Sequence, residues 1–445
     1  MRRRQLCRRL GAGGLLGLAG CLGDPAGSAD DPTPDSPDEP EPEWPTFGFD
    51  HHHTGARPDG VGPRTDTVAW TAIGDASTVL CSPAVSDGTV YVGSANDAVH
   101  AFDATTGKER WAHETTSYVE TAPAVVDDTV YTADADGVVY ALRTDGEPRW
   151  TYETGTNLHS RAVAVHDGTL VVGTAGTMPA VASGDTDGSK AGTALALDAA
   201  TGERQWAYTG PTDWFTGPAV GGGRAYLGNH DGTVTALNLA TGDEAWTWNA
   251  DGDDASVLAP PTYADGTVYV GVHGAGRLVA LDAESGTRRW TMDLKAPNVK
   301  SSPAVDDDRV YVGATGTEKS DYDGPGEPTP TPTPTPSPTP TGTADDEGPV
   351  EMPTFETSGS VFALSREDGG IEWRYETGHD FRSSPAVVGD RVYIGGGDRF
   401  LALSREDGRK QWHVAFDDFV YSSPAVAGGR AYIGSADGHL YCIGE

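Results

Sequence analysis

Lysine, cysteine and long apolar runs are all scarce in this 445-residue chain, and each scarcity excludes a class of function. Only six of the 31 basic residues are lysines, against 66 acidic residues, and the formal net charge is −35. Nucleic-acid binding needs a basic patch, which the sequence lacks, so no nucleic-acid partner is expected. The apolar run from Leu10 to Gly20 is too short to span a bilayer, which takes about 20 residues.

Motifs for several kinds of catalysis are also missing. The sequence has no Gly-x-Ser-x-Gly, no phosphate-binding loop and no paired-cysteine zinc pattern. The run from His51 to His53 would point to alternating sides of an extended segment, so at most two imidazoles would face one ion. The acidic runs at 251–254 and 306–308 are not followed by a full calcium-binding loop. We therefore predict no catalytic residue and no metal site.

The acidic residues are spread along the whole chain rather than collected in a tail. A dispersed acidic excess with little lysine resembles the proteins of salt-loving archaea. In molar salt the Debye length is about 3 Å, so the self-repulsion of such a surface is screened. The alternative is an acidic secreted protein without this adaptation.

The N-terminus carries two motifs of exported proteins in the expected order. Arg3-Arg4-Gln5-Leu6 resembles a twin-arginine export motif, and Leu18-Ala19-Gly20-Cys21 resembles a lipobox in which Cys21 receives the lipid. We predict an export signal over residues 1–20 and a solvated, acidic, proline-rich tether over 21–43. The expected location is the extracellular face of the cytoplasmic membrane, reached through the lipid anchor. A cleaved signal with an incidental cysteine is the alternative.

From Trp44 onward the sequence repeats, with units such as Ser82-Pro83-Ala84-Val85 recurring eight times at a spacing near 40 residues. Short β-branched runs separated by Asp-Gly or Gly-Gly turns predict strands. Seven units end in a tryptophan, and Trp70 precedes the first unit. An N-terminal strand would therefore complete the last blade. We predict an all-β, eight-bladed propeller of four-stranded antiparallel blades over 44–445, with a solenoid as the rival.

The segment Ala101-x-Asp103-x-x-Thr106-Gly107-x-x-x-Trp111 resembles the tryptophan-docking motif of quinoprotein-type propellers with PQQ-like repeats. The resemblance implies that each repeat tryptophan packs against the next blade. The expected docking residues are Trp70, Trp111, Trp150, Trp206, Trp246, Trp290, Trp373 and Trp412. Residues 44–55 resemble the usual lead-in of such domains.

The family also includes dehydrogenases, which the resemblance implies would use PQQ, calcium, a vicinal cysteine pair and an aspartate base. No vicinal cysteines occur here. We therefore expect no cofactor and predict a non-catalytic binding or scaffold propeller at the cell surface, similar to the lipid-anchored propellers that assist the assembly of envelope proteins. Its partners would be envelope proteins or extended peptides, and the protein would be a monomer. A PQQ-dependent dehydrogenase that binds PQQ with calcium is the alternative.

Two insertions, at about 176–192 and 315–358, fall between second and third strands and therefore share one face. The later one holds a Thr-Pro run that is expected to be extended and O-glycosylated. Polar and aromatic residues near the axis of that face are the candidate contact residues: His159, Arg161, Trp214, Asn298, Lys300, Asp380, Arg382 and Tyr421. The three cations suggest an anionic ligand, with charge balance around an acidic channel as the alternative.

Two cysteines remain in the predicted propeller. Cys81 and Cys442 are expected at inner-strand positions of neighbouring blades. A disulfide and two buried thiols are both compatible with the sequence.

Overall fold

The computed structural model describes residues 43–74, 78–158, 160–175, 192–210, 216–252, 254–316 and 358–445. Over these residues the secondary structure is all β, in eight blades of four antiparallel strands arranged as a ring. One blade gains a fifth, parallel strand, Ala56–Arg57. The predicted eight-bladed propeller is confirmed. None of the described segments forms a helix long and apolar enough to cross a membrane.

Blades are numbered in chain order of their innermost strands. The strands of each blade are given from the channel outward. Blade 1 comprises Ala84–Ser86, Thr89–Ser94, Ala98–Asp103 and Glu109–Glu114. Blade 2 comprises Ala124–Val126, Thr129–Ala133, Val138–Arg143 and Pro148–Glu153. Blade 3 comprises Ala164–His166, Thr169–Gly173, Thr193–Asp198 and Arg204–Thr209. Blade 4 comprises Ala219–Gly221, Arg224–Gly228, Thr233–Asn238 and Glu244–Asn249.

The second half of the ring has the same plan. Blade 5 comprises Thr262–Ala264, Thr267–Val272, Arg277–Asp282 and Arg288–Asp293. Blade 6 comprises Ala304–Val305, Arg309–Thr315, Gly359–Ser365 and Ile371–Thr377. Blade 7 comprises Ala386–Val388, Arg391–Gly396, Arg399–Ser404 and Lys410–Ala415. Blade 8 comprises Ala425–Ala427, Arg430–Gly434, His439–Ile443 and the N-terminal strand Val68–Ile73.

Burial follows strand position. The second and third strands of each blade are almost wholly buried because neighbouring blades pack on both of their faces, so these strands are continuously apolar. The fourth strands alternate instead, with exposed residues between the half-buried ones, as in Glu109–Glu114. First and second strands are joined by turns such as Asp87-Gly88, where both residues have positive φ, at 46° and 63°.

The ring is closed by chain segments from opposite ends of the sequence. Val68–Ile73 pairs antiparallel with His439–Ile443, and Trp70 lies opposite Cys442. The Trp70 indole N–H then donates to the Ala104 carbonyl of blade 1 at 3.1 Å. The N-terminal outer strand predicted from the repeat count is therefore present. It covers the strand edge that blade 8 would otherwise expose.

Seven of the repeat tryptophans donate their indole N–H to a carbonyl of the following blade. The distances lie between 2.8 and 3.1 Å for Trp70, Trp111, Trp150, Trp206, Trp246, Trp290 and Trp373. Trp412 differs, since its buried indole nitrogen has no partner within the described residues. Blade 8 is made from two chain segments, so it lacks the turn between third and fourth strands that supplies the acceptor carbonyl elsewhere.

Residues 44–63 form a plug that crosses the channel from the side of the Asp-Gly turns. Trp44 pairs with Val85 of blade 1, and Ala56–Arg57 runs parallel to the first strand of blade 7. The plug carbonyls accept backbone N–H groups from six inner strands, at Val85, Val125, Val220, Tyr263, Val305 and Val387. Inner strands have one unpaired edge, so the plug satisfies donors that would otherwise face an open channel.

Asp50 shapes the plug. Its carboxylate accepts from the backbone N–H groups of His52 and Thr54 at 3.0 Å, and from the Thr54 hydroxyl at 2.8 Å. His53 lies beneath, fully buried, and burial lowers its pKa to about 3, so its imidazole is neutral. The hydrogen bonds of Asp50 close a local turn within the plug.

Cys81 and Cys442 are both buried and free. Their expected inner-strand positions were wrong: Cys442 lies on the third strand of blade 8, and Cys81 precedes the first strand of blade 1. The Cys81 thiol accepts from the Gly93 N–H at 3.3 Å. In blade 8 the Ser422 hydroxyl accepts from the Gly434 N–H in the equivalent contact. Cys81 therefore fills a serine position of the repeat, and burial raises its pKa to about 12.

A basic mouth at one end of the channel

The two faces of the propeller differ in what they carry. The turn face bears the turns between first and second strands, and the mouth face bears the loops that precede each first strand. Glu43 enters the ring at the turn face, where its carboxylate meets the Ser86 hydroxyl at 3.2 Å. Both predicted insertions leave the described chain on the mouth face, after Ala175 and Gly316. The insertions themselves lie outside the described residues.

A cavity of about 230 Å³ occupies the mouth-face end of the channel. Its floor is Phe47, a plug residue packed against Ala122 and Ala162. Because the plug fills the channel below Phe47, the cavity is a blind pit. Its walls come from blades 1, 2, 3, 7 and 8, and the lining residues are Phe47, Leu80, Ser82, Glu120, Arg161, Arg382, Tyr421 and Ser423.

Two guanidinium groups meet at the pit. Arg161 from blade 3 crosses toward blade 7 and donates to the Arg382 carbonyl at 3.1 Å. Burial and the nearby Arg382 charge lower the pKa of Arg161, while Glu120 opposes that shift. Within the described residues, no carboxylate forms an ion pair with Arg161.

Lys300 belongs to the same electrostatic cluster. Burial, and then the charges of Arg382 and Arg161, lower the pKa of its ammonium group, with Asp380 acting in the other direction. No ion pair to Lys300 occurs in the described part of the chain. Arg161 and Arg382 therefore line the pit together with Glu120, and Lys300 lies close enough to both arginines for their charges to act on it.

The loop before blade 7 holds one side of the mouth. Asp380 accepts from the Thr315 hydroxyl at 2.6 Å and pairs with the Arg382 side chain at 3.3 Å. The Asn298 N–H donates to the Thr315 carbonyl at 3.0 Å, and the Thr315 N–H donates to the Asn298 carbonyl at 2.9 Å. Asn298 thus anchors the stem of the second insertion to the rim, and its side chain is not part of the pit lining.

Aromatic rings cover one guanidinium. Arg382 lies over the Tyr421 ring at 4.8 Å from its centroid, in cation–π geometry. Phe419, which is 48% exposed, stacks on the outer side of Tyr421 at 5.8 Å. Arg382 is therefore held between a carboxylate and an aromatic face, which fixes its position before any ligand arrives.

Serine hydroxyls link the blades below the rim. The Ser423 N–H donates to the Ser82 hydroxyl at 2.8 Å, and the Ser384 N–H donates to that of Ser423 at 2.9 Å. The Ser302 N–H repeats the contact with Ser384. These bonds fix the loop positions around half of the ring, so the mouth is built on a rigid frame.

The structure places only part of the predicted contact set. Arg161, Lys300, Asp380, Arg382 and Tyr421 converge at the mouth. His159, Trp214 and Cys21 lie outside the described residues. Sequence reasoning missed the pit floor and the serine frame. The repeated Ser-Pro dipeptide offered a signal for the frame, but nothing in the sequence indicated which ring position Phe47 would reach.

Larger clefts lie between blades 5, 6 and 7 on the turn face, with volumes of about 850 and 470 Å³. Most of their arginines are paired with carboxylates, as in Arg366 with Asp265 and Arg405 with the buried Asp306, both at 2.7 Å. Arg391 instead donates to the Pro63 carbonyl at 2.8 Å. These charges are already satisfied within the chain. The mouth is therefore the better candidate for an anionic ligand.

Comparison with known proteins gives the family. A model of PQQ-like repeats described as outer membrane protein assembly factor BamB matches residues 59–190, 163–262, 247–324 and 357–443. The chain belongs to this family. No curated protein matches the sequence.

Solved structures similar to this PQQ-like repeat propeller include dehydrogenases and BamB. One is a quinohemoprotein alcohol dehydrogenase from Comamonas testosteroni, at 17% identity and TM-score 0.68, with 91% of this chain and 81% of that chain covered. A europium-containing methanol dehydrogenase is 14% identical with a TM-score of 0.66, and the match covers 92% of this chain and 99% of that chain. BamB from Moraxella catarrhalis is 18% identical with a TM-score of 0.61, and the match covers 85% of this chain and 97% of that chain. At such identities the likeness establishes the fold alone.

The residues at the mouth were tested against the dehydrogenase cofactors. Arg161, Lys300 and Arg382 match the carboxylates of PQQ in charge. For calcium, the described residues contain no cluster of three or more carboxylate, imidazole or thiol groups placed to hold a metal ion. The described mouth therefore matches an anionic organic group in charge, PQQ included.

Proposed function

We propose that this protein is a non-catalytic binding propeller of the cell envelope, whose mouth holds an anionic segment of a partner protein. The observation that carries the proposal is the meeting of three cations from blades 3, 6 and 7 in a chain with a net charge of −35. Arg382 is paired with Asp380, whereas Arg161 and Lys300 have no ion pair within the described residues, and unpaired cations are costly to bring together unless an anion joins them.

The position of the plug supports the same function. The chain enters and leaves the plug at the turn face, so a tether attached at Glu43 leaves the mouth on the opposite side. A protein held in this way presents its mouth to partners. The likeness to BamB agrees with a protein-binding role in the envelope.

Crosslinking at the rim tests this function. A photoreactive phenylalanine at Phe419 should capture discrete envelope proteins, whereas the same group at Glu203 on the turn face should not. Removing two charges with R161Q and K300Q should reduce capture from position 419 at least tenfold, because each charged hydrogen bond contributes about 1.5–3 kcal/mol. R288Q, an exposed arginine on the outer strand of blade 5, is the matched control.

The quinoprotein dehydrogenase is the competing function, and the purified protein distinguishes the two. Under the binding proposal, adding PQQ and calcium gives no saturable change in absorbance and no dye reduction with alcohols or sugars. Saturable quinone binding together with substrate-dependent dye reduction would contradict the proposed non-catalytic function. Equal capture at positions 419 and 203 would also count against it.

We further propose that the protein is an exported lipoprotein anchored through Cys21 at the outer face of the membrane, with a surface adapted to high salt. Fractionation of cells that carry C21A tests the anchor. The variant should leave the membrane fraction and appear in the medium, because a lipid chain supplies about 0.8 kcal/mol of binding per buried methylene. C7A, inside the predicted signal, should fractionate like the unmodified chain. Retention of C21A in membranes would contradict the anchor.

A further inference from the structure

The mouth is closed at its floor, and this limits what can enter it. The plug fills the channel, with Phe47 packed on Ala122 and Ala162. A pit of about 230 Å³ has the volume of seven or eight waters at about 30 Å³ each. A polypeptide cannot thread through it, so a partner reaches the guanidinium groups with a chain end, an acidic side chain or a compact anion.

The charges select which chain end. Arg161 and Lys300 have no ion pair within the described residues, and burial lowers the pKa of both groups. A protonated amino terminus would add a fourth cation to this cluster. A terminal carboxylate instead accepts from a guanidinium in fork geometry and offsets the repulsion between neighbouring cations.

The remaining lining groups match a peptide rather than a simple acid. Glu120 supplies an acceptor beside the two arginines, and the last amide N–H of a peptide needs such an acceptor. Phe47, Leu80 and the Tyr421 ring offer apolar surface for one side chain. A small carboxylic acid would use the cations and leave Glu120 and the apolar floor without a role.

From this geometry we infer that the mouth binds the C-terminal carboxylate of a partner polypeptide end-on, with an apolar last residue against Phe47. The inference rests on the proposed binding function and names its ligand. Arg161, which lines the pit, holds the carboxylate, and Glu120 accepts the amide N–H. Lys300 adds positive charge nearby. Arg382, already paired with Asp380 and covered by Tyr421, forms the wall.

The test uses the full chain and a fluorescein-labelled hexapeptide, Gly-Ser-Gly-Ser-Ala-Phe, measured by fluorescence anisotropy at a fixed salt concentration. The free acid should bind at least tenfold tighter than the same peptide with a C-terminal amide. R161Q should abolish that preference, and E120A, which removes the acceptor for the amide N–H, should weaken the binding of the C-terminal amide peptide. R288Q should leave the preference unchanged.

Each other outcome overturns the inference. Equal binding of acid and amide would show that the terminus is not recognised. Full competition by succinate at the peptide's own concentration would assign the site to free carboxylates, and competition by PQQ at that concentration would assign it to the quinone. Loss of the acid preference in R288Q would make the effect non-specific. If acid and amide bind equally, crosslinking from the rim should still occur. The ligand assignment can therefore fail while the proposed binding function holds.

Discussion

A chain that begins at Pro83 is expected to show no cooperative thermal transition. The deletion removes the outer strand Val68–Ile73, which pairs with His439–Ile443, and the Trp70 contact with blade 1. It also removes the plug, which accepts backbone N–H groups from six inner strands. The combined loss exceeds the roughly 5–15 kcal/mol by which domains are usually stable. Circular dichroism melting checks this.

Two shorter deletions separate the contributions. A chain that begins at Glu43 keeps every contact of the described propeller and should melt like the full chain. A chain that begins at Thr65 keeps the strand and loses the plug, so it should fold with a lower melting temperature. If the Pro83 chain melts normally, the ring does not depend on its N-terminal strand, and the closure seen at blade 8 is not what stabilises the fold.

Much of the fold could be predicted because the repeat encodes it. Each blade buries its second and third strands between neighbours, so the same apolar pattern recurs and the blade number can be counted. The imbalance between repeat starts and closing tryptophans, with Trp70 ahead of the first start, was enough to predict the split blade. The mouth cations were predictable for a related reason. Lys300 and Arg382 occupy the same loop position, ahead of Pro303 and Pro385, and Arg161 lies in the corresponding loop of blade 3.

Features that occur once could not be predicted in this way. The path of residues 44–63 across the channel depends on six different inner strands, and no periodicity in the plug specifies them. The position of Phe47 under the mouth follows from that path. Cys442 was expected on an inner strand and lies on the third strand of blade 8, because a short apolar run, read alone, does not give the strand position within a blade.

Trp373→Ala is expected to cost about 3–5 kcal/mol of unfolding free energy, the usual range for deleting a buried aromatic side chain. Trp373 is only 3% exposed and donates to the Arg405 carbonyl of blade 7 at 3.1 Å. Its ring lies against Gly408, where an added Cβ would sit 2.5 Å from the indole and where φ is +71°. No other residue fits that turn, so the cavity left by alanine cannot be refilled from blade 7. Urea denaturation at constant salt gives the value.

Trp412→Ala is the matched comparison within the same molecule. Trp412 packs on Tyr393 and Phe400 at centroid distances of 5.9 and 5.8 Å, but its indole N–H has no partner in the described ring and no docking turn faces it. Its loss should therefore cost less than that of Trp373, by at least the roughly 1 kcal/mol of one hydrogen bond. Equal costs would mean that aromatic packing alone joins the blades. A larger loss of unfolding free energy for Trp412→Ala would mean that Trp412 stabilises the junction of blades 7 and 8 more than its contacts indicate.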